Sequence, residues 1–306
     1  MIFVTGATGF VGSHIVRRLR AANLPVRALV RKSRTSKGRA ASLPAGVQAV
    51  GGDVLQPATL RDAMRGCHVV INLVGIIRED EYSFEQMHVE SVRNIIEAMR
   101  QNGISRLVQM SALGTRENAV SGYHQTKWRG EQLVRASGLD WTIFRPSLIY
   151  GAQSAFLKQM LPLARAPITP IISPGMDTGL LQPIHADDVA QCFLAAIEER
   201  SDKHWSQIYD LGGPDQMTTL QILQAMNRVL EGRFRPVRVP LLLAKTLFGI
   251  GEKLRLPVPV TRGQLQMLQE DTTCEIGAMR VLLDVVPRAF EDALRVALKE
   301  TVSDET

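Results

Sequence analysis

Ile2-Phe3-Val4-Thr5-Gly6-Ala7-Thr8-Gly9-Phe10-Val11-Gly12 reads as a buried strand, a glycine turn and the opening of a helix. Gly6 allows the tight turn, Gly9 lets a diphosphate approach the backbone, and Gly12 lets helix and strand pack closely. The helix begun there (Gly12–Ala22) offers unpaired N–H groups and the positive end of its dipole to an anion. With Thr8, Phe10 and Val11 completing the turn, residues 6 and 8–12 form a candidate cradle for a nucleotide.

Outward from this turn, short apolar strands alternate with amphipathic helices. Strands are expected at Pro25–Val30, Val47–Val50, His68–Val74, Arg106–Met110 and Trp141–Phe144, with helices at Ala58–Arg65, Phe84–Asn102 and His124–Ser137. That rhythm predicts an α/β fold with a doubly wound, Rossmann-type parallel sheet, which binds ligands at the C-terminal ends of its strands. The expected division is a nucleotide-binding domain over 1–150, with a helix (Asp187–Glu198) and strand (Gln207–Leu211) rejoining the sheet. Residues 151–186 and 212–306 then form a smaller, mainly helical C-terminal lobe. Pro162, Pro167, Pro170, Pro174, Gly175 and Pro183 argue against long regular elements in 151–186. Helices are expected at Thr219–Leu230, Leu241–Leu254 and Arg288–Lys299. The apolar Leu241–Leu254 is either a core helix of the lobe or a surface facing a partner or membrane.

The 306 residues are 45% hydrophobic and 22% charged, with a net charge of +6, proportions of a globular chain rather than a disordered one. The basic excess is local. Residues 1–52 hold nine Lys and Arg and no acid, which fits an anion site better than nucleic-acid binding. At the end of the second strand, where an NAD site usually has an acid for the ribose hydroxyls, stand Arg31-Lys32-Ser33-Arg34. Guanidinium groups grip a 2′-phosphate that a carboxylate would repel, so NADP(H) is expected over NAD(H). Asp53-Val54, after the third strand, faces the adenine edge, and Leu73-Val74-Gly75, after the fourth, lines the next stretch of cofactor.

Several classes are set aside. Met1 leads straight into a strand, which leaves no room for a leader, and the apolar stretches fall short of the roughly 20 residues of a spanning helix. Three scattered cysteines without CxxC read as reduced thiols. A cytoplasmic protein is expected. Six histidines show no metal-binding spacing, so no metal is expected. His185-Ala186-Asp187-Asp188 reads as a strand end and helix cap, His124 as solvent-facing, and Asp210 and Asp215 as turn residues.

Tyr123-His124-Gln125-Thr126-Lys127 puts Tyr123 and Lys127 one turn apart on one helix face. A nearby ammonium is expected to lower the phenol's pKa, Lys127 can hold the nicotinamide ribose, and Tyr123 can pass a proton to or from a substrate oxygen. Ser111, at the end of the fifth strand, can hydrogen-bond the same oxygen.

These residues, with TGATGFVG, the MSALG run at Met110–Gly114, RPSLIYG at Arg145–Gly151 and IHADDVA at Ile184–Ala190, resemble the extended and atypical short-chain dehydrogenase/reductase superfamily. LVGII at Leu73–Ile77 and HVES at His88–Ser91 are most similar to the branch containing the nucleotide-binding accessory subunit of respiratory complex I. The likeness covers residues 1–215 well. It implies bound NADP(H), Ser111, Tyr123 and Lys127 in catalytic positions, and cofactor contacts from Met110, Pro146 and Leu148. Most extended members carry Asn where this chain has His88. That residue reads either as packing between helix and sheet or as a contact near the cofactor.

Two functions fit. One is an NADP(H)-dependent oxidoreductase or epimerase-like enzyme acting on a small carbonyl or hydroxyl substrate. The other is a cofactor-holding accessory or assembly protein linked to complex I or quinone metabolism. A respiratory-complex or membrane-peripheral partner and a homo-oligomer are both compatible with them.

Overall fold

The computed structural model describes residues 1–31, 43–198, 202–243, 246 and 270–303. The chain divides into two compact units, Met1–Pro146 with Ala186–Leu211 and Gly277–Val286, and Ser147–His185 with Gly212–Ile276 and Pro287–Thr306.

The first unit opens with β1 (Ile2–Thr5), α1 (Phe10–Ala21), β2 (Val26–Val30), β3 (Gln48–Gly51), α2 (Pro57–Met64) and β4 (Val69–Asn72). A π-helical turn (Gln86–Glu90) runs into α3 (Ser91–Gln101), followed by β5 (Arg106–Met110), α4 (Gly122–Arg135) and β6 (Asp140–Pro146). The second unit contributes β7 (Ile149–Tyr150), α5 (Ala155–Arg165), β8 (Ile168–Ser173), β9 (Leu180–Leu181) and β10 (Ile184–His185). The chain returns to the first unit in α6 (Ala186–Glu198) and β11 (Gln207–Leu211). The second unit resumes with β12 (Met217–Thr218), α7 (Thr219–Val229) and β13 (Arg235–Pro240); α8 (Gly277–Leu282) belongs to the first and α9 (Phe290–Ser303) to the second.

Seven strands form one parallel sheet in the order β11-β6-β5-β4-β1-β2-β3, a Rossmann arrangement. β1 sits centrally, with Phe3 paired to Arg27 on one side and Val70 on the other, and all four of its residues are buried. Both faces of such a sheet are covered, which is why its strands are apolar without alternation. One face packs Phe3, Leu60, Met64, Val70, Ile95 and Leu107 into a core, each contributing about 1.5–3 kcal/mol. On α1, His14 and Arg18 reach α6, through Asp187 (2.5 Å) and Gln191 (2.6 Å) respectively.

In the second unit, β8 pairs with β13 in parallel, β9 with β12 antiparallel and β7 with β10 in parallel. Their core gathers Tyr150, Leu157, Ile171, Leu223, Met226 and Phe290. Residues 151–186 are more regular than their prolines suggest. α5 runs eleven residues through Pro162, because Ser154 caps it (Leu157 N–H to Oγ, 3.1 Å) and Leu157, Met160, Leu161 and Ala164 bury one face. Lys158, whose carbonyl loses its partner to the proline, lies on the exposed side of that helix. Of the expected helix Leu241–Leu254, only Leu241–Leu243 and Thr246 are described, all helical; the remainder lies outside the described residues.

Candidate nucleotide site and catalytic cluster

The glycine turn is built for close approach. Gly6 has a φ of +70°, and its carbonyl accepts the Gly9 N–H at 3.0 Å. A Cβ on Gly12 would lie 2.1 Å from Gly6 O and 2.8 Å from the Ala7 Cα, so no side chain fits there. Gly9 is exposed at the N-cap of α1, no side chain caps that end, and its first turn holds no acid. The N–H groups of the first turn therefore stay open, and the residues present fit a diphosphate. Thr8, Phe10 and Val11 are half-buried around them.

At the end of β2, Arg31 is exposed, with its guanidinium carbon 5.2 Å from the centroid of the Tyr82 ring. Lys32 and Arg34 lie outside the described residues. Asp53 shapes the turn after β3: its Oδ1 accepts the Leu55 N–H at 2.9 Å, and its own N–H donates to Thr59 Oγ1 at 3.0 Å. Val54 is drawn into the core, its carbonyl held by Asn94 Nδ2 at 3.0 Å. Leu73 is buried behind Gly6, where a Cβ would meet the Leu73 carbonyl carbon at 3.1 Å, and Val74 is half-buried.

A buried polar chain underlies this edge. Thr5 Oγ1 donates to Asn72 Oδ1 (2.6 Å), Asn72 Nδ2 to Gln109 Oε1 (2.9 Å), and Gln109 Nε2 to the Met110 carbonyl (2.9 Å). It ties the ends of β1, β4 and β5 together, since leaving any of these groups unpaired would cost about 1–3 kcal/mol. An Asn and a Gln inside otherwise apolar strands were the sequence signal for it.

The cluster beyond is set by α4. Ser121 caps that helix by accepting the His124 N–H at 3.2 Å, and its Oγ lies 3.0 Å from His124 Nδ1. His124 is consequently 1% exposed, correcting the expectation that it faces solvent. One turn on, the Lys127 ammonium donates to the Met110 carbonyl at 3.4 Å, and a Cβ on Gly75 would sit 2.8 Å from its Nζ. Gly75 thus leaves room for the ammonium at the end of β4. Ser111 is 3% exposed, and its hydroxyl reaches Thr115 Oγ1 over a long 3.5 Å.

His88 joins this cluster from the π-helical turn. Its Nε2 accepts the Ile76 N–H at 3.2 Å and its Nδ1 lies 2.8 Å from Thr126 Oγ1. The ring stacks on Phe84 (5.4 Å) and meets Tyr123 edge-on (5.4 Å). Gly130 permits this, because a Cβ there would come within 2.2 Å of the His88 carbonyl. The widened turn brings His88 close enough to feel the Lys127 charge, and π-bulges are frequent at functional sites.

Burial governs the titrations. It pushes the Tyr123 phenol up to about 12, opposite to the lowering expected from Lys127. It pushes Lys127 down to about 8, against the pull of Glu131. His88 falls to about 3 through burial and the neighbouring Lys127 charge. Beneath Lys127, Glu131 (1% exposed) holds Arg145 through two hydrogen bonds, 2.9 Å to Nε and 2.5 Å to Nη2. Asp210 faces the same pair, and burial with the Glu131 charge raises its carboxyl despite Arg145. It is therefore more than a turn residue. Asp187, expected as a cap, pairs with His14. Pro146 ends β6 with its carbonyl accepting the Leu113 N–H at 2.9 Å, while Leu148 packs on the core of the second unit. Among the described residues no cluster could hold a metal, and no helix is long and apolar enough to cross a membrane.

Residues 6–200 match the family described as NAD(P)H-binding. The chain belongs to that family. Its relatives include the mitochondrial NADH-ubiquinone oxidoreductase 40 kDa subunit of Neurospora crassa, 28% identical over 82% of this chain and 65% of the subunit, so the match spans under two thirds of that relative. They also include a ceramide reductase from Caulobacter vibrioides, 29% identical over 78% of this chain and 74% of the reductase. The fold is shared with an NADPH-dependent quinone oxidoreductase from Escherichia coli solved with NADPH, at a TM-score of 0.76 and 18% identity, covering 97% of this chain and all of the other. The relatives thus include both a reductase and a subunit of an NADH-ubiquinone oxidoreductase.

Proposed function

We propose that the protein is an NADP(H)-dependent reductase of carbonyl compounds, with Tyr123 as proton donor, Ser111 orienting the acceptor oxygen and Lys127 anchoring the nicotinamide ribose. The observation that carries this reading is the position of Lys127, which extends from α4 to the ends of β4 and β5, the sheet edge that also carries the glycine turn. The first-turn N–H groups of α1 would hold the diphosphate, and Arg31, with Lys32 and Arg34, the 2′-phosphate. Asp53 and Val54 flank the adenine, and Leu73, Val74, Gly75, His88 and Met110 line the path to the nicotinamide, with Pro146 and Leu148 beside it. When bound, this cofactor supplies hydride.

A phenol held near 12 keeps its proton at neutral pH, so Tyr123 is in the state to donate to a carbonyl oxygen that gains negative character. The Ser111 hydroxyl, weakly engaged with Thr115, is free to donate to the same oxygen. Ceramide and ubiquinone, drawn from the relatives' names, are the first acceptors to try. This reading is cytoplasmic.

One observation favours a second reading. Both ring nitrogens of His88 are already engaged, so that side of Lys127 offers no proton relay. A protein that holds NADPH as a structural ligand, bound to a respiratory complex at the membrane, needs none. The readings separate on turnover. Oxidation of bound NADPH by an acceptor, reduced about 10²–10⁴-fold by Tyr123→Phe, supports the reductase. Retention of NADPH without turnover by any ketone or quinone supports the holder.

A further inference from the structure

We propose that Tyr82 is a specificity-determining positioning residue, whose ring holds the Arg31 guanidinium ready to read the 2′-phosphate of an adenosine ribose. This rests on the NADP(H) reading above.

Arg31 is the first residue beyond β2 and is exposed. A long exposed side chain explores many rotamers, and freezing them on binding costs affinity. Here the guanidinium carbon lies over the Tyr82 ring, 5.2 Å from its centroid. Tyr82 comes from the loop after β4, so two separate sheet connections meet at this point. Its ring is fixed from below, since it packs against the core that contains Val54. Within the loop, Glu79 Oε1 accepts the Phe84 N–H at 2.7 Å, closing a turn around Tyr82, and Arg78 pairs with Asp80 at 3.0 Å at the surface.

A guanidinium over an aromatic face keeps its in-plane N–H donors available for two parallel bonds to phosphate. Among the described residues, Arg31 makes no ion pair that would compete for them. The tyrosine therefore supplies orientation without neutralising the charge, which an acid in its place would do.

The test is calorimetric titration of the full chain with 2′,5′-ADP and with 5′-AMP, which differ by the 2′-phosphate. Wild type should prefer 2′,5′-ADP. Tyr82→Phe, which keeps the ring, should match it. Tyr82→Leu should lose about two- to fivefold of that preference, the usual worth of an exposed cation–π contact, with 5′-AMP binding unchanged. In an Arg31→Leu background the same substitution should do nothing further, because the two act as one unit. An undiminished preference in Tyr82→Leu, or equal weakening of both ligands, overturns the proposal while leaving the cofactor assignment intact. A wild type without preference overturns both.

Discussion

His88 is tied to Thr126, 2.8 Å from Nδ1 to Oγ1. Since Ile76 donates its N–H to Nε2, the proton sits on Nδ1 and the ring is neutral. The Thr126 hydroxyl donates onward to the Gly122 and Tyr123 carbonyls, so the imidazole is locked to the start of the helix that carries Tyr123 and Lys127.

Acid should loosen this lock. His88 titrates near 6.5 when unfolded and about 3 when folded, so between those values the unfolded chain binds the extra proton. Its stabilisation is complete above pH 6.5 and fades as pH falls toward 3, by about 2–3 kcal/mol at pH 4.5. Urea unfolding at pH 7 and pH 4.5 should show a smaller acid loss for His88→Gln than for wild type. Equal losses would contradict it.

Lys127 should trade stability for function. Its folded pKa is about 8 against 10.5, so below pH 8 the buried ammonium costs stability that returns as pH rises to 10.5. Lys127→Met, which keeps the stem, should stabilise the free protein by about 1–3 kcal/mol at pH 7 and by little at pH 10.5. NADPH affinity should fall in the same variant. Thermal melts at the two pH values check the sign.

Two glycines should part company. Gly66 (φ +76°) has nothing within 4 Å of an added Cβ, so Gly66→Ala should cost only about 1 kcal/mol. Gly12→Ala must displace the Gly6 carbonyl and the Ala7 backbone, and should weaken NADPH binding at least tenfold. Melting and titration of both variants measure the contrast.

The pair beneath the cluster should behave as a buried ion pair. Glu131→Ala leaves Arg145 without its two hydrogen bonds, at a cost of about 3–5 kcal/mol. Replacing both residues by Leu should cost less than the single change, and urea midpoints of the three variants decide this.

The strands and the glycine turn were legible because their information is local. β1, β5 and β11 begin and end where apolar period and turn residues put them, at Ile2–Thr5, Arg106–Met110 and Gln207–Leu211. What escaped depends partly on caps and partly on residues far apart in sequence. Ser121, three residues before His124, caps the helix and turns its hydroxyl to the imidazole, which buries a ring that helix spacing alone does not place. Pro162 argues against a helix until the buried face of α5 and its Ser154 cap are counted. The stack of Tyr82 on Arg31 joins loops that only the sheet brings together, and the direction of the Tyr123 shift follows from burial, which spacing along a helix does not reveal.

The central claim is that a dinucleotide lies from the Gly6–Gly12 turn to Lys127. Amide hydrogen exchange of the full chain with and without saturating NADPH tests it most directly. Slowed exchange at Gly9–Gly12 and at Gly75–Ile76, abolished at the first segment by Gly12→Ala, is the predicted result. Unchanged exchange at both segments, or protection confined to the second unit, would contradict it.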